Sequence, residues 1–153
     1  MRSVQKLAFA PAFALASALA VTIAPAAAAQ KVAVVPAGQN ASPTLTPGIR
    51  QGDVLYVSGQ LGVARDNPDT TIQAQTKRAL ENVQKVVEAA GSNMNNVLKC
   101  TVFLTDLKDF QGMNQAYREV FTKEPPARST VVVAALVSAG AKVEIECIAG
   151  IPK

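Results

Sequence analysis

The sequence predicts an α+β domain, one mixed β-sheet with two helices on one of its faces. Three observations lead there. Two stretches of helical apolar spacing alternate with short β-branched runs, in the order β, β, α, β, α, β, β. From Gln30 to Lys153 no repeat or second domain interrupts the chain, and that length suits a single core. Two helices cover only one sheet face, yet the strand from Ser129 is apolar on both sides, so the second face needs cover from sister subunits.

The elements follow in order. Arg2 and Lys6 precede an apolar stretch from Leu7 to Pro25, and Ala27-Ala28-Ala29 stand before Gln30. Positive, then apolar, then small is the pattern of a secretory signal peptide, residues 1–29, cleaved after Ala29. Pro11, Pro25 and the small-residue site weigh against an uncleaved anchor. The mature domain, residues 30–153, is expected to be secreted or periplasmic, with no membrane contact after cleavage. A leader strand at Val32 to Val35 and an irregular loop to Pro47 come next. Gly52-Asp53 turns into a strand, Val54 to Val57, that ends at Ser58-Gly59-Gln60. Asp66-Asn67-Pro68-Asp69 is a loop.

Asp69 or Thr70 can cap the first helix, in which Ile72, Ala79, Leu80, Val83, Val86, Val87 and Ala90 share one face and Gly91 marks the stop. Val97 to Leu104 is a strand, with Cys100, Val102 and Leu104 on one side and Lys99, Thr101 and Phe103 on the other. Asp106 can cap a second helix whose inner side is Phe110, Met113, Tyr117, Val120 and Phe121; Gly112 weakens it slightly. Pro125-Pro126 ends the helical region. Strands at Ser129 to Leu136 and Lys142 to Ala149 flank a turn at Ser138-Ala139-Gly140.

Composition narrows the chemistry. Without Arg2 and Lys6, 13 basic residues face 11 acidic ones, a net charge of +2. The basic residues are scattered and form no stripe, which argues against nucleic-acid partners. With no His, Ser-His-Asp and Cys-His catalysis and His-based metal sites are ruled out, and two Cys cannot make a thiolate zinc site. No Gly-rich phosphate loop is present. Neither a metal nor a cofactor is expected. Arg, carboxylates, hydroxyls, backbone groups and water must carry any reaction.

Three stretches then stand out: Val57-Ser58-Gly59-Gln60-Leu61; Asp106-Leu107-Lys108-Asp109-Phe110 followed by Met113-Asn114 and Tyr117; and Pro126-Ala127-Arg128-Ser129 with the later Val143-Glu144-Ile145-Glu146. In order and spacing, from about Gly52 to Ala149, the chain resembles the RidA/YjgF family. The resemblance implies a chorismate-mutase-like fold assembled as a homotrimer. It also implies hydrolytic deamination of amino-acid-derived imines and enamines, in which small imino acids become keto acids and ammonia. By the same resemblance Arg128 grips the substrate carboxylate, Glu144 helps water, and Ser58, Gly59, Asn114 and Thr130 line the ligand. The family archetype has a Tyr where Leu45 stands and a Cys where Thr130 stands.

The residues themselves permit these roles and leave alternatives. The guanidinium of Arg128 can hold a carboxylate through two parallel hydrogen bonds; it can equally pair with Glu144 or Glu146. A carboxylate on the last strand can orient water and move its proton. Glu146 shares the side of Glu144. Gly59 lets backbone approach a ligand, and Asn114 can be a helix-to-loop bridge. Cys100 and Cys147 can form a disulfide if their strands are neighbours in register, or remain two buried thiols. A non-catalytic module holding a small carboxylate in the same pocket is the competing function.

Overall fold

A computed structural model of the chain describes residues 30–40, 42–64 and 69–153. The expected signal peptide at 1–29 and the loop residues Asp66, Asn67 and Pro68 lie outside them. Six strands form one sheet: β1 (Lys31–Val34), β2 (Gly48–Gln51), β3 (Val54–Leu61), β4 (Val97–Leu104), β5 (Ala127–Val132) and β6 (Val143–Gly150). Their order across the sheet is β1-β2-β3-β6-β4-β5. All neighbours are antiparallel except β4 and β5, which are parallel and joined by a helical crossover. The sheet is mixed, as expected.

Helix α1 (Ile72–Ala89) packs across β3 and β6, and α2 (Phe110–Val120) lies against α1. The apolar face read from the sequence is the one that α1 buries: Ile72, Ala79, Leu80, Val83, Val86 and Val87. They meet Leu55, Val57, Val102, Leu104, Val143 and Ile145 from the sheet and Met113, Tyr117 and Phe121 from the α2 region. Each large apolar side chain so enclosed contributes roughly 1.5–3 kcal/mol.

The start of α1 corrects the expected cap. Thr71, not Asp69 or Thr70, is the N-cap, its Oγ1 accepting from the Ala74 N–H at 3.3 Å. Asp69 acts one step back, its Oδ1 accepting from the Thr71 hydroxyl at 2.6 Å. At the other end Gly91, at φ +80°, donates to Glu88 O, and Ser92 N–H reaches back to Val87 O. That pair of bonds with a left-handed glycine is the Schellman stop. Asp106 caps a short 3₁₀ turn, Leu107–Asp109, and α2 proper starts after it.

Two strands differ from expectation. β2, unanticipated, joins β3 through the two-residue turn Gly52-Asp53. β5 stops at Val132 rather than Leu136, because β4 ends at Leu104. A last bond from Val133 N–H to Leu104 O, 2.8 Å, closes the ladder. In the single chain β5 is an edge strand with Val131 and Val132 about half exposed, so neither of its sides is the deeply buried one its composition suggested. The helix-free face also exposes Tyr56 at 50%. Among the described residues no helix is long and apolar enough to cross a membrane.

Candidate functional site

Arg128 is the second residue of β5, following Pro126 and Ala127. Parallel pairing sets Arg128 opposite Cys100 and Thr130 opposite Val102, so both side chains share the helix-covered face of the sheet. There the half-buried guanidinium meets α2. Nη2 donates to Asn114 Oδ1 at 2.7 Å, Nη1 lies 3.7 Å from Met113 Sδ, and the guanidinium carbon stands 4.7 Å from the Tyr117 ring centroid. The flat fork is therefore held by an amide and an aromatic face. Among the described residues it has no carboxylate partner; the ion pairs found there join Lys142 to Asp109 and Lys153 to Asp53. A guanidinium has five N–H donors, and this one has its charge unmatched among the described residues.

Beneath it, the Tyr117 hydroxyl is buried and has no hydrogen-bond partner among the described residues. Burial pushes that phenol up to about 12, against the opposing pull of the Arg128 charge.

Glu144 is placed by different constraints. Val143, Ile145 and Cys147 point into the core, so Glu144 and Glu146 point away from the helices. Glu144 stands opposite Phe103 on β4, and Glu146 opposite Thr101. On the other flank β3 carries a bulge. Val57 pairs with Cys147 and Gln60 with Ile145, so Ser58 and Gly59 together oppose Glu146. The bulge brings Gly59 under Glu144: a β-carbon at Gly59 would overlap Glu144 Oε1. Ser58 fixes the bulge to the preceding loop, its hydroxyl donating to Thr46 O at 2.7 Å and its N–H to Pro47 O at 2.9 Å. Leu45 stands just before that anchor, 54% exposed.

The six expected residues thus form two groups: Arg128, Asn114 and Thr130 on the helix side, and Glu144, Gly59 and Ser58 on the bare side. Within one chain the sheet separates them. An internal ion pair from Arg128 to Glu144 or Glu146 is excluded on that ground. Glu144 borders a hollow of about 250 Å³. A larger one of about 440 Å³, beside Gln75 and Arg78, contains none of the six. No cluster of three or more metal-ligating side chains occurs among the described residues.

Comparison with known proteins bears on this arrangement. A family profile described as Endoribonuclease L-PSP matches residues 37–151. The chain belongs to this family, the RidA/YjgF/UK114 proteins. It is 49% identical over 100 residues to the RutC family protein UK114 of Drosophila melanogaster, covering 62% of this chain and 70% of that one. It is 38% identical over 107 residues to Reactive Intermediate Deaminase A, chloroplastic, of Arabidopsis thaliana, covering 66% of this chain and 55% of that protein. The crystal structure of E. coli TdcF with bound serine matches at a TM-score of 0.67 and 36% identity, over 73% of this chain and 91% of that one.

This RidA-family chain also brings to the site residues to which the motifs give no role. In the sequence Tyr117 stands in the second motif stretch and on the inner face of the second helix without a role at the site, yet it supports the guanidinium. Its spacing of three from Asn114 puts both on one strip of α2, and that spacing is the signal that marks it. Phe103 beside Glu144 has no such signal, since their pairing depends on register.

Proposed function

We propose that the protein hydrolyses small 2-imino acids and their enamines, of the 2-iminobutanoate and 2-iminopropanoate class, to 2-keto acids and ammonia. The site lies between two copies of the chain in a homotrimer, with Arg128 of one copy facing Glu144 of the next. Arg128 takes the substrate carboxylate in a two-pronged hydrogen bond. Glu144 removes a proton from water as its oxygen bonds to the imine carbon, and returns a proton to the nitrogen. The new hydroxyl of the tetrahedral adduct then passes its proton, by way of Glu144, to the nitrogen as the C=O bond forms and the C–N bond breaks, leaving the keto acid and ammonia. No cofactor is needed for that balance.

The observation that carries this reading is the guanidinium, oriented by Asn114 and Tyr117 and left without a counter-charge among the described residues. Several further points support it. The Arabidopsis relative is named for reactive-intermediate deamination, and TdcF was crystallised with serine, a ligand of amino-acid size. Tyr56 and Val131 stay half exposed on the bare sheet face, as a self-association surface would need. We likewise propose export, with residues 1–29 as the signal. A disulfide between Cys100 and Cys147 suits an oxidising compartment.

The test is release of keto acid from imines generated by oxidising alanine and 2-aminobutyrate. Mature protein should accelerate it, and Arg128→Ala should lower kcat/KM about 100-fold or more, with the fold intact. An unchanged rate with pure protein would reject the enzymatic reading. Binding of a keto acid without turnover would select the small-carboxylate-binding module instead.

A further inference from the structure

Strand β6 changes phase with both of its neighbours close to one residue. On the β3 side the ladder is regular as far as Val57 opposite Cys147, and the bulge at Ser58-Gly59 follows at once. On the β4 side the register shifts between Val97 and Lys99, and Cys100 opposite Cys147 is the second pair beyond that shift. A bulge interrupts backbone pairing and bends the strand, so hydrogen bonds alone hold the register least firmly here. The disulfide Cys100–Cys147 joins β4 to β6 between the two irregularities. The two residues are 0% and 3% exposed, which keeps their sulfurs from a dissolved thiol, so the bond serves geometry rather than exchange.

The same bond lies between the two halves of the proposed site. Cys147, Cys100 and Arg128 form one row across three adjacent strands, on the helix-covered face. Arg128 stands on an edge strand whose sheet neighbour is β4, so whatever seats Cys100 also seats the guanidinium. At the other end of the row, Cys147 is three residues along β6 from Glu144. We infer that Cys100 and Cys147, through their bond, are positioning residues that hold Arg128 at the height where it meets the substrate carboxylate. The inference rests on the role proposed for Arg128. It is separate from the stabilisation that any cross-link gives, because it concerns where one side chain stands in the folded protein. Without the bond, β4 and β5 can shift together against β6, and the shift carries Arg128 off that height.

The test reads kinetics on folded protein. Cys100→Ala with Cys147→Ala removes the bond and some volume, whereas Cys100→Val with Cys147→Ala refills the volume without the bond. On the alanine imine each pair should raise KM about 10-fold, the loss of roughly one good hydrogen bond to the carboxylate. The accompanying kcat should stay within about 2-fold of the parent, a split that lowered stability does not produce. The unaltered mature chain supplies the same comparison without mutation. It is prepared with both thiols reduced and then closed by oxidised glutathione, which takes up the two electrons and two protons and leaves as two molecules of glutathione. KM should fall by the same factor. A parental KM in the bond-free forms, or its recovery in the refilled pair, overturns the inference and leaves the deaminase reading standing. An oxidised parent that accelerates no imine removes the deaminase reading; the Kd for 2-ketobutyrate then replaces KM, with the same factor expected. A parent that binds no keto acid either removes both.

Discussion

Around Arg128 and Glu144, single atoms set the geometry of the proposed site. Gly59 has no β-carbon, and the Glu144 carboxylate occupies the space that one would take. In Gly59→Ala the carboxylate, at the end of a flexible side chain, must swing aside. Stability should change by less than about 1 kcal/mol, while a catalytic group displaced by about 1 Å should cost on the order of 100-fold in kcat. Circular dichroism and steady-state kinetics on the same sample check both halves. Tyr117 permits a separate prediction. Its phenol loses a proton near pH 10 in the unfolded chain and near 12 in the folded one. Between those values the unfolded state alone ionises, so stability present below pH 10 falls as pH rises through that window, by roughly 2–3 kcal/mol in all. Tyr117→Phe keeps the ring under Arg128 and removes both the titration and a buried hydroxyl that has no partner among the described residues. Urea titrations at pH 8 and 11 should show the variant as stable as the parent or more so at pH 8, with a smaller loss at pH 11. A variant that loses as much as the parent would contradict the assignment.

Among the elements, β4 and β6 are tied most firmly. Cys100 and Cys147 stand directly opposite each other, with Cα atoms 4.1 Å apart, and form a disulfide closing a 47-residue separation. Chain entropy for a loop of that length amounts to about 4 kcal/mol, and removal of native bridges typically costs 2–4. Replacing both cysteines with alanine should lower the unfolding free energy by about that amount, and reductant should then no longer affect the denaturation midpoint. Several elements are legible in the amino-acid sequence by itself. The apolar stripe of α1, its glycine stop and the bounds of β4 all rest on local periodicity and caps, which act within a few residues. β2 is not legible that way, because Gly48-Ile49-Arg50-Gln51 contains one large apolar residue and no alternation. Its strand state comes from backbone pairing with β1 and β3. The end of β5 is likewise set by a neighbour, at the point where β4 runs out. Pairing of the cysteines is open in the sequence for the same reason: it needs register, and register is long-range.

For the molecule as a whole, the sheet itself is the constraint. Alternation within a strand shows that Glu144 and Glu146 share a side and that Arg128 and Thr130 share one. It cannot show whether those two sides agree, because that depends on how β5, β4 and β6 are aligned. The alignment puts Arg128 with Cys100 and Cys147 toward the helices and Glu144 with Phe103 away from them. The candidate site residues are therefore legible by type and position, and their division between two faces is not. From that division follows the central claim, that a working site takes Arg128 from one copy and Glu144 from another. The most direct test mixes two inactive variants, Arg128→Ala and Glu144→Ala, by co-expression or by refolding together. Each alone should be inactive. In a randomly mixed closed oligomer roughly a quarter of the interfaces would join an intact Arg128 to an intact Glu144, and about that fraction of the parent activity should return. A mixture confirmed by mass spectrometry to contain mixed oligomers, yet as inactive as its components, would contradict the claim.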